Sequence, residues 1–399
     1  MTNIVLILGS LAMAALCLSP AVLRARSWRA TVTPLASIIG SGFLVVGPIL
    51  ADTAGSLAWV AMAALCGAGY LFGAVIRFNI IHVEANLAHL PRRAVFLEKA
   101  SNTALSLAYF VSVAYYLNLL AAFALRAAGI VDPFAIRLLA STIIVVIGII
   151  GGRGGLHALE RLEVGTVGIK LSVIGGLMLA LGLAYAIAWQ HHALITATST
   201  RTPTQALRTV LGLVILVQGF ETSRYLGAAY DPDLRVRTMR HAQWISTAIY
   251  IGFVFLLTNL FRDGLGPSGG ETEIIDMVRP LGWAVVPLLT LAAIASQSSA
   301  AVADMNGAGG LLHEVSSGRI PVRLGNAATA LASLTITWSG DIYQIITWAS
   351  QAFVAYYGLQ SVQAALWAAR LGQWARVALF CGAIGLSVLV IAWAVPAGA

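Results

Sequence analysis

Long apolar runs separated by short polar stretches dominate the chain. A helix needs about 20 mostly apolar residues to cross the hydrocarbon core of a bilayer, and most of these runs reach that length. The pattern predicts an all-α polytopic membrane protein with about twelve transmembrane helices and a single transmembrane domain over residues 1–399. The predicted segments are 4–22, 32–51, 56–81, 102–128, 134–151, 163–189, 207–229, 242–261, 281–314, 324–338, 342–366 and 374–395.

Two of these segments are interrupted in the middle. Gly40–Gly42 lies within segment 32–51, and Gln218–Glu221 lies within segment 207–229. Glycine removes side-chain packing and favours unwinding, and unwound backbone at membrane depth is tolerated only where it is buried in protein or lines a cavity. Because paired broken helices hold the binding site in many secondary transporters, the pattern predicts two discontinuous helices that face each other.

The basic residues are distributed unequally between the two sides of the predicted bundle. Of the 24 lysines and arginines, 16 lie on one side, six on the other, and Lys170 and Arg224 lie within segments. The arginine-rich side is predicted to be cytoplasmic, with both termini outside. Because Arg24, Arg26 and Arg29 follow the first apolar run, residues 4–22 are predicted to be an extra transmembrane helix and not a signal peptide.

Composition narrows the class of protein further. The chain is 59% hydrophobic and 10% charged, which excludes a soluble globular protein of this length. Its net charge of +8 is spread over short loops, so no nucleic-acid partner is predicted. The three cysteines are isolated, and no zinc-protease, serine-hydrolase or P-loop motif occurs. We therefore predict a multi-pass protein of a bacterial plasma membrane that is not an enzyme and uses no metal or cofactor.

Four charged residues at membrane depth are the strongest candidates for function, because each is costly there unless it is paired or hydrated. Lys170 can exchange a proton or replace a bound sodium ion, or it can extend its ammonium towards a membrane interface. Glu221 and Arg224 are three residues apart, so they form either a structural ion pair or a site in which Glu221 contacts substrate or a proton. Asp304 is the fourth of these charges.

Small polar residues accompany two of these candidates. Ser298 and Ser299 precede Asp304, and together they form either an oxygen-rich ion site or a close helix-packing surface. The backbone N–H groups of Gly40–Gly42 suit a carboxylate if the helix is broken there. The alternative is a glycine packing face in an unbroken helix. Tyr116 is a weaker candidate for a ring or hydroxyl contact.

Several motifs resemble those of amino acid–polyamine–organocation (APC) superfamily transporters. Ile38–Phe43 and Ala54–Trp59 resemble their first two core helices, Gly219–Pro232 their sixth helix and the loop after it, and Ser298–Pro321 their eighth. The resemblance implies a leucine-transporter-like fold of two inverted five-helix repeats. These repeats would be residues 32–189 and 207–366, with 4–22 and 374–395 as additional helices.

The resemblance also implies a coupling site. It places Lys170 at the fifth-helix lysine that occupies the position of a sodium ion in proton-coupled members, with Ser298 and Ser299 at the edge of that site. The chain departs from the family pattern at Ala228 and Ala229, where acidic residues are usual, and at Gly309, where an arginine is usual.

These inferences together predict a proton-coupled transporter of an amino acid or related small organic solute that works by alternating access, with H⁺ favoured over Na⁺. Two alternatives keep the fold: a membrane sensor that binds ligand without transport, and a carrier of another solute such as an organic cation or nucleobase. The predicted substrate-binding residues are Gly40, Ser41, Gly42, Gly219, Phe220, Glu221 and Tyr116, and the predicted coupling residues are Lys170, Ser298, Ser299 and Asp304.

Overall fold

The structure is a computed structural model that describes residues 1–89, 91–153, 163–196, 198–199, 201–261 and 270–397; within these ranges the side chain of Ser41, a predicted site residue, lies outside the description. The described residues form helices and connecting turns, with no strand among them. The main helices are α1 Thr2–Cys17, α2 Arg26–Ala54, α3 Ala58–His82, α4 Arg92–Ala127, α5 Pro133–Gly152, α6 Glu163–Gln190, α7 Pro203–Leu211, α8 Pro232–Leu260, α9 Val285–Val315, α10 Val322–Ser339, α11 Ile342–Arg370 and α12 Trp374–Trp393.

The predicted all-helical membrane fold is confirmed. Within the described ranges, eight helical stretches are long and apolar enough to cross a membrane, and the longest of them, Arg26–Asn86, contains both α2 and α3. The first stretch, Thr2–Arg24, joins α1 to the short helix Pro20–Arg24. These eight stretches do not include α7, α10 or α11. Helix α11 carries buried polar residues such as Gln360.

Hydrogen bonds tie both ends of the described chain to the helix bundle. The Thr2 hydroxyl donates to the Leu281 carbonyl, and the Arg208 carbonyl accepts from the backbone N–H of Val395 at the other end. α1 itself packs along α6, where a Cβ atom at Gly176 would lie 2.0 Å from the Ser10 hydroxyl oxygen. The first helix is therefore held to the bundle by a close contact that only glycine permits.

The interruption predicted at Gly40–Gly42 is not present: α2 continues through these residues as one helix. Gly42 instead allows close contact with the interrupted segment, because a Cβ atom on Gly42 would lie 2.5 Å from the Leu216 carbonyl oxygen and 2.8 Å from its Cα. Glycine lowers the helical preference of an isolated segment by about 1 kcal/mol, and the close packing of Leu216 against Gly42 offsets that loss. The alternative reading, a glycine packing face in an unbroken helix, describes this structure.

The second predicted interruption is present. After α7 ends at Leu211, the chain passes through two short 3₁₀ turns, Val214–Val217 and Phe220–Leu226, instead of continuing as one helix. Gly219 lies between them with φ of +115°, a backbone conformation that side-chain-bearing residues rarely adopt. Ser350 of α11 compensates for the lost helical bonds, since its hydroxyl accepts from the Ile215 N–H at 3.0 Å and donates to the Gly212 carbonyl at 2.7 Å.

Candidate functional site

Lys170 lies where α2, α6 and α9 meet, and its side chain is 5% exposed. Its ammonium donates to the Ala36 carbonyl of α2 at 2.8 Å and to the Ser296 hydroxyl of α9 at 3.2 Å. Ser296 in turn donates to the Gly40 carbonyl. A buried cation thus joins three helices through oxygen acceptors, which are also the ligands that a small hard cation would require.

A tyrosine reinforces the same stretch of α2 from another direction. The Tyr250 hydroxyl of α8 lies 2.9 Å from the Ile38 carbonyl oxygen and 2.7 Å from the Leu216 carbonyl oxygen of the interrupted segment. The carbonyls of residues 36, 38 and 40 therefore all accept hydrogen bonds from side chains on other helices. The α2 segment that carries the glycine pair is a site of convergent polar contacts although it is not unwound.

A cavity of about 640 Å³ lies beside Lys170. It extends along α9 from Ser296 to Glu314, which is near the end of α9 on the arginine-rich side. Its size suits a small organic solute, and it contains both charged and hydroxyl groups. The polar residues that line it are Thr33, Ser37, Tyr109, Lys170, Thr222, Tyr225, Ser296, Ser299, Asp304, Asn306 and Glu314.

Asp304 provides a carboxylate in the middle of this cavity and is 5% exposed. One of its oxygens, Oδ2, accepts a hydrogen bond from the Ser112 hydroxyl of α4. Tyr109, one helical turn before Ser112, also lines the cavity and lies against Gly307, the glycine three residues after Asp304. Asp304 and Lys170 thus line the same cavity, at positions that are separated along the axis of α9.

Glu221 is fully buried at the unwound turn and does not line this cavity. Its Oε2 accepts from the Gly219 N–H at 2.9 Å and from the Tyr357 hydroxyl at 2.7 Å, while Oε1 has no hydrogen-bond partner among the described residues. The Phe220 ring stacks on Tyr357 with centroids 5.1 Å apart. In this arrangement Glu221 holds the interrupted helix in shape and leaves one carboxylate oxygen uncompensated.

Of the two alternatives for Glu221 and Arg224, the ion pair between them does not form. The 3₁₀ geometry of the turn directs Arg224 towards Glu84, 3.2 Å away, and towards Glu98 of α4, 2.7 Å away. Arg235 of α8 binds the other oxygen of Glu84 at 2.8 Å and donates to the Arg224 carbonyl. These four residues, the Arg224 cluster, connect the interrupted helix to α4 and α8 on the arginine-rich side.

The remaining predicted residues are divided between the cavity and the protein interior. Ser299 lines the cavity, whereas the Ser298 hydroxyl bonds to the carbonyls of Ile294 and Ala295 within its own helix. The Tyr116 hydroxyl accepts from the Gln218 side chain at 3.0 Å, away from the cavity. Gly40, Gly42, Gly219 and Phe220 are likewise absent from the cavity lining.

The residues that the sequence argument missed are Ser296, Ser112 and Tyr250. A signal for the first exists in the sequence. Positions 296, 299, 303, 304 and 307 recur at helical spacing, so Ser296 shares a face with Asp304, whereas Ser298 does not. No local pattern marks Ser112 or Tyr250, because their partners are on helices distant in sequence.

The fold and the cavity define a class of protein: a bundle of membrane helices with an interrupted helix near a charged internal cavity is typical of secondary transporters. A sequence model of APC superfamily transporters matches residues 20–394, and the chain belongs to that superfamily. A protein of Aquifex aeolicus strain VF5, described as uncharacterized, is 39% identical over 351 residues that cover 86% of this chain and 85% of that protein.

Solved structures show the same fold at low sequence identity. A substrate-bound, outward-open Na⁺-coupled sialic acid symporter aligns with 98% of this chain and 97% of its own at 14% identity and a TM-score of 0.55. A variant of the Eremococcus coleocola manganese transporter aligns with 92% of this chain and 87% of its own at 15% identity and a TM-score of 0.57. The family and its structural neighbours are transporters and not enzymes, which confirms the predicted class.

Proposed function

We propose that this transporter moves an amino acid or a related small organic solute across a bacterial plasma membrane, driven by protons and working by alternating access. The observation that carries the proposal is the position of Lys170, which donates to a carbonyl of α2 and a hydroxyl of α9 beside the cavity. Because Lys170 holds its own positive charge among oxygen acceptors, it supplies the charge that a coupling cation would supply.

Protonation of Lys170 controls the strength of the link between α2 and α9. The ammonium form donates charge-assisted hydrogen bonds, which are roughly twice as strong as neutral ones. Loss of the proton weakens the bonds to Ala36 and Ser296 and removes the charge at the end of the cavity. We expect α2 to move away from α9 more easily in that state, so that proton release and rearrangement of the helices are coupled.

The cavity in this structure is on the side predicted to be cytoplasmic. It reaches Glu314 at one end and Lys170 at the other, and the glycine pair of α2 is outside its lining. We therefore place the solute in the cavity between α2, α4 and α9 in this arrangement. The backbone of Gly40–Gly42 is not the carboxylate site here, because its helical hydrogen bonding is intact.

Uptake into proteoliposomes tests the proposal. The purified protein is reconstituted, an inward proton gradient is imposed, and accumulation of radiolabelled amino acids and amines is measured. Lys170→Ala should abolish gradient-driven accumulation and retain exchange of solute at equal concentrations. Lys99→Ala is the matched control, because Lys99 is exposed on α4 and is the other lysine of the chain.

Three outcomes would contradict parts of the proposal. Unchanged accumulation in Lys170→Ala would refute Lys170 as the coupling group. A requirement for sodium in the wild-type protein would refute proton coupling. Saturable binding of a solute with no flux under any gradient would favour the sensor over the transporter.

A further inference from the structure

In its ionised form, Asp304 carries a negative charge that its protein contacts do not compensate. Within the described residues its hydrogen bonding is limited to the Ser112 hydroxyl, which reaches Oδ2. A carboxylate at membrane depth is costly unless it is paired with a positive group or with water, and one neutral hydroxyl does not neutralise it. The second oxygen, Oδ1, is not among the enclosed atoms without partners, and Asp304 lines the cavity. This oxygen is therefore available to a ligand.

The groups around Asp304 are those that bind a cationic nitrogen. Tyr109 and Tyr225 line the same cavity, and an aromatic ring within about 6 Å of a cation attracts it. Ser299 contributes a hydroxyl within two helical turns of Asp304. A second carboxylate, Glu314, lies at the mouth of the cavity on the arginine-rich side and is exposed, so the entrance also attracts positive charge.

A metal ion is a poorer match for this place. Metal sites of this kind need several oxygen ligands around one ion, and the described residues contain no cluster of three histidine, cysteine, aspartate or glutamate side chains. Ser112 uses its proton on Asp304 and so holds the carboxylate in place. One fixed carboxylate beside aromatic rings suits an organic cation better than a metal.

The distance to Lys170 limits which organic cations fit. Ser296, which contacts Lys170, and Asp304 are eight residues apart on α9, or about 12 Å at 1.5 Å per residue. Among the described residues that line the cavity, Lys170 is the sole cationic side chain. An α-amino acid bound through its ammonium to Asp304 would hold its own carboxylate next to Asp304, about two helical turns from Lys170 along α9.

We propose that Asp304 is the specificity-determining residue for a solute whose cationic nitrogen has no carboxylate on the adjoining carbon, with Ser112 as its positioning residue. This inference rests on the proposed function, because it assumes that the cavity carries the solute. It narrows the solute from amino acids and related compounds to amines and ω-amino acids. The ligand's remaining polar groups then extend along α9 towards Ser296.

Binding to the purified full-length protein tests the inference with five compounds of one carbon skeleton: butylamine, γ-aminobutyrate, α-aminobutyrate, butyrate and butanol. Ligands that bind the folded protein raise its melting temperature by mass action. Butylamine and γ-aminobutyrate should stabilise the protein at lower concentrations than α-aminobutyrate, and butyrate and butanol should have no effect. Stronger binding of α-aminobutyrate or butyrate than of butylamine would overturn the inference.

Substitutions then assign the selectivity to Asp304. Asp304→Asn should weaken butylamine binding by roughly tenfold or more, the effect of one hydrogen bond to a charged group, and Asp304→Glu should restore part of it. Ser112→Ala should have a smaller effect. Asp233→Asn, at an exposed position, is the control for the same change of charge. Wild-type affinity in a folded Asp304→Asn protein would overturn the inference, and if that variant does not fold, the wild-type series decides.

The two proposals fail in different ways. If an anionic or α-amino-acid solute accumulates under a proton gradient and Asp304→Asn leaves its affinity unchanged, the role of Asp304 is refuted while transport stands. If amines bind through Asp304 but do not cross the membrane of proteoliposomes, transport is refuted while recognition stands. If Asp304→Asn retains amine affinity and loses only gradient-driven accumulation, Asp304 carries the proton and the inference is overturned.

Discussion

Replacing Gly42 by alanine should destabilise the protein, although alanine is the better helix former. The added Cβ would lie 2.5, 2.7 and 2.8 Å from the carbonyl oxygen, Cβ and Cα of Leu216, whereas ordinary van der Waals contact is 3.4–4 Å. These atoms belong to or adjoin the backbone, so they cannot rotate away. α2 and the interrupted segment would have to separate by several tenths of an ångström or more.

The magnitude follows from two opposing effects. Overpacking of this kind costs about 1–3 kcal/mol, and the helical preference of alanine over glycine returns up to about 1 kcal/mol. These two terms bracket a net destabilisation between about 0 and 3 kcal/mol, and we take the middle of that range, about 1–2 kcal/mol, as the expected value. A fall of a few degrees in the melting temperature should accompany it, measured by loss of the monodisperse peak after heating in detergent.

Two other glycines provide matched controls. A Cβ at Gly40 would meet its nearest neighbours at 3.8 and 3.9 Å, and a Cβ at Gly67 on α3 would meet nothing within 4 Å. Gly40→Ala and Gly67→Ala should therefore melt at or slightly above the wild-type temperature. Gly42→Ala with wild-type or higher stability would refute the packing explanation. Loss of uptake in both Gly40→Ala and Gly42→Ala without loss of stability would show that the pair must unwind during transport.

Two further predictions concern residues outside the cavity. Arg224→Gln should destabilise the protein by about 3 kcal/mol in denaturation measurements, because it leaves Glu98 partly buried without its counter-charge, whereas Arg237→Gln, at an exposed position, should have little effect. The pKa of Asp231 is lowered, chiefly by the hydrogen bond from the Leu234 N–H. Its stabilising effect as an N-cap is therefore complete above its ordinary pKa of 3.8 and disappears as the pH falls through the lowered value. The difference in melting temperature between wild type and Asp231→Ala should therefore shrink as the pH falls through that range. A difference that stays constant with pH would contradict the prediction.

Much of the fold could be predicted from the sequence because a bilayer imposes a simple rule. Each span needs about 20 apolar residues and must satisfy its own backbone hydrogen bonds, so apolar run length alone indicates the helices. The interruption at Gly219 was also predicted, and in the structure this glycine adopts a φ of +115°, which side-chain-bearing residues rarely adopt. Charged residues at membrane depth identified Lys170, Asp304 and Arg224 without reference to their surroundings.

The ion-pair and hydrogen-bond partners of these residues could not be predicted from the sequence. Arg224 pairs with Glu84 and Glu98, which are more than 120 residues distant in sequence, whereas its spacing of three residues from Glu221 allowed a local ion pair that does not form. Ser296 and not Ser298 reaches Lys170, because the rotation of α9 about its axis decides which hydroxyls face α6. That rotation depends on packing against α4, where Ser106 donates to the Ala308 carbonyl.

The glycine pair of α2 shows which features of this protein follow from its sequence and which follow only from its tertiary structure. The sequence by itself determined that residues 40 and 42 carry no side chain and lie within a membrane segment. Glycine permits both unwinding and close helix contact, and these outcomes differ by a few kcal/mol of packing at most. Leu216, which decides between them, approaches Gly42 only after the chain has folded. Because of this tertiary packing, the glycine pair lies in a helix contact and not in a binding loop. The candidate site is instead the cavity that Lys170 and Asp304 line.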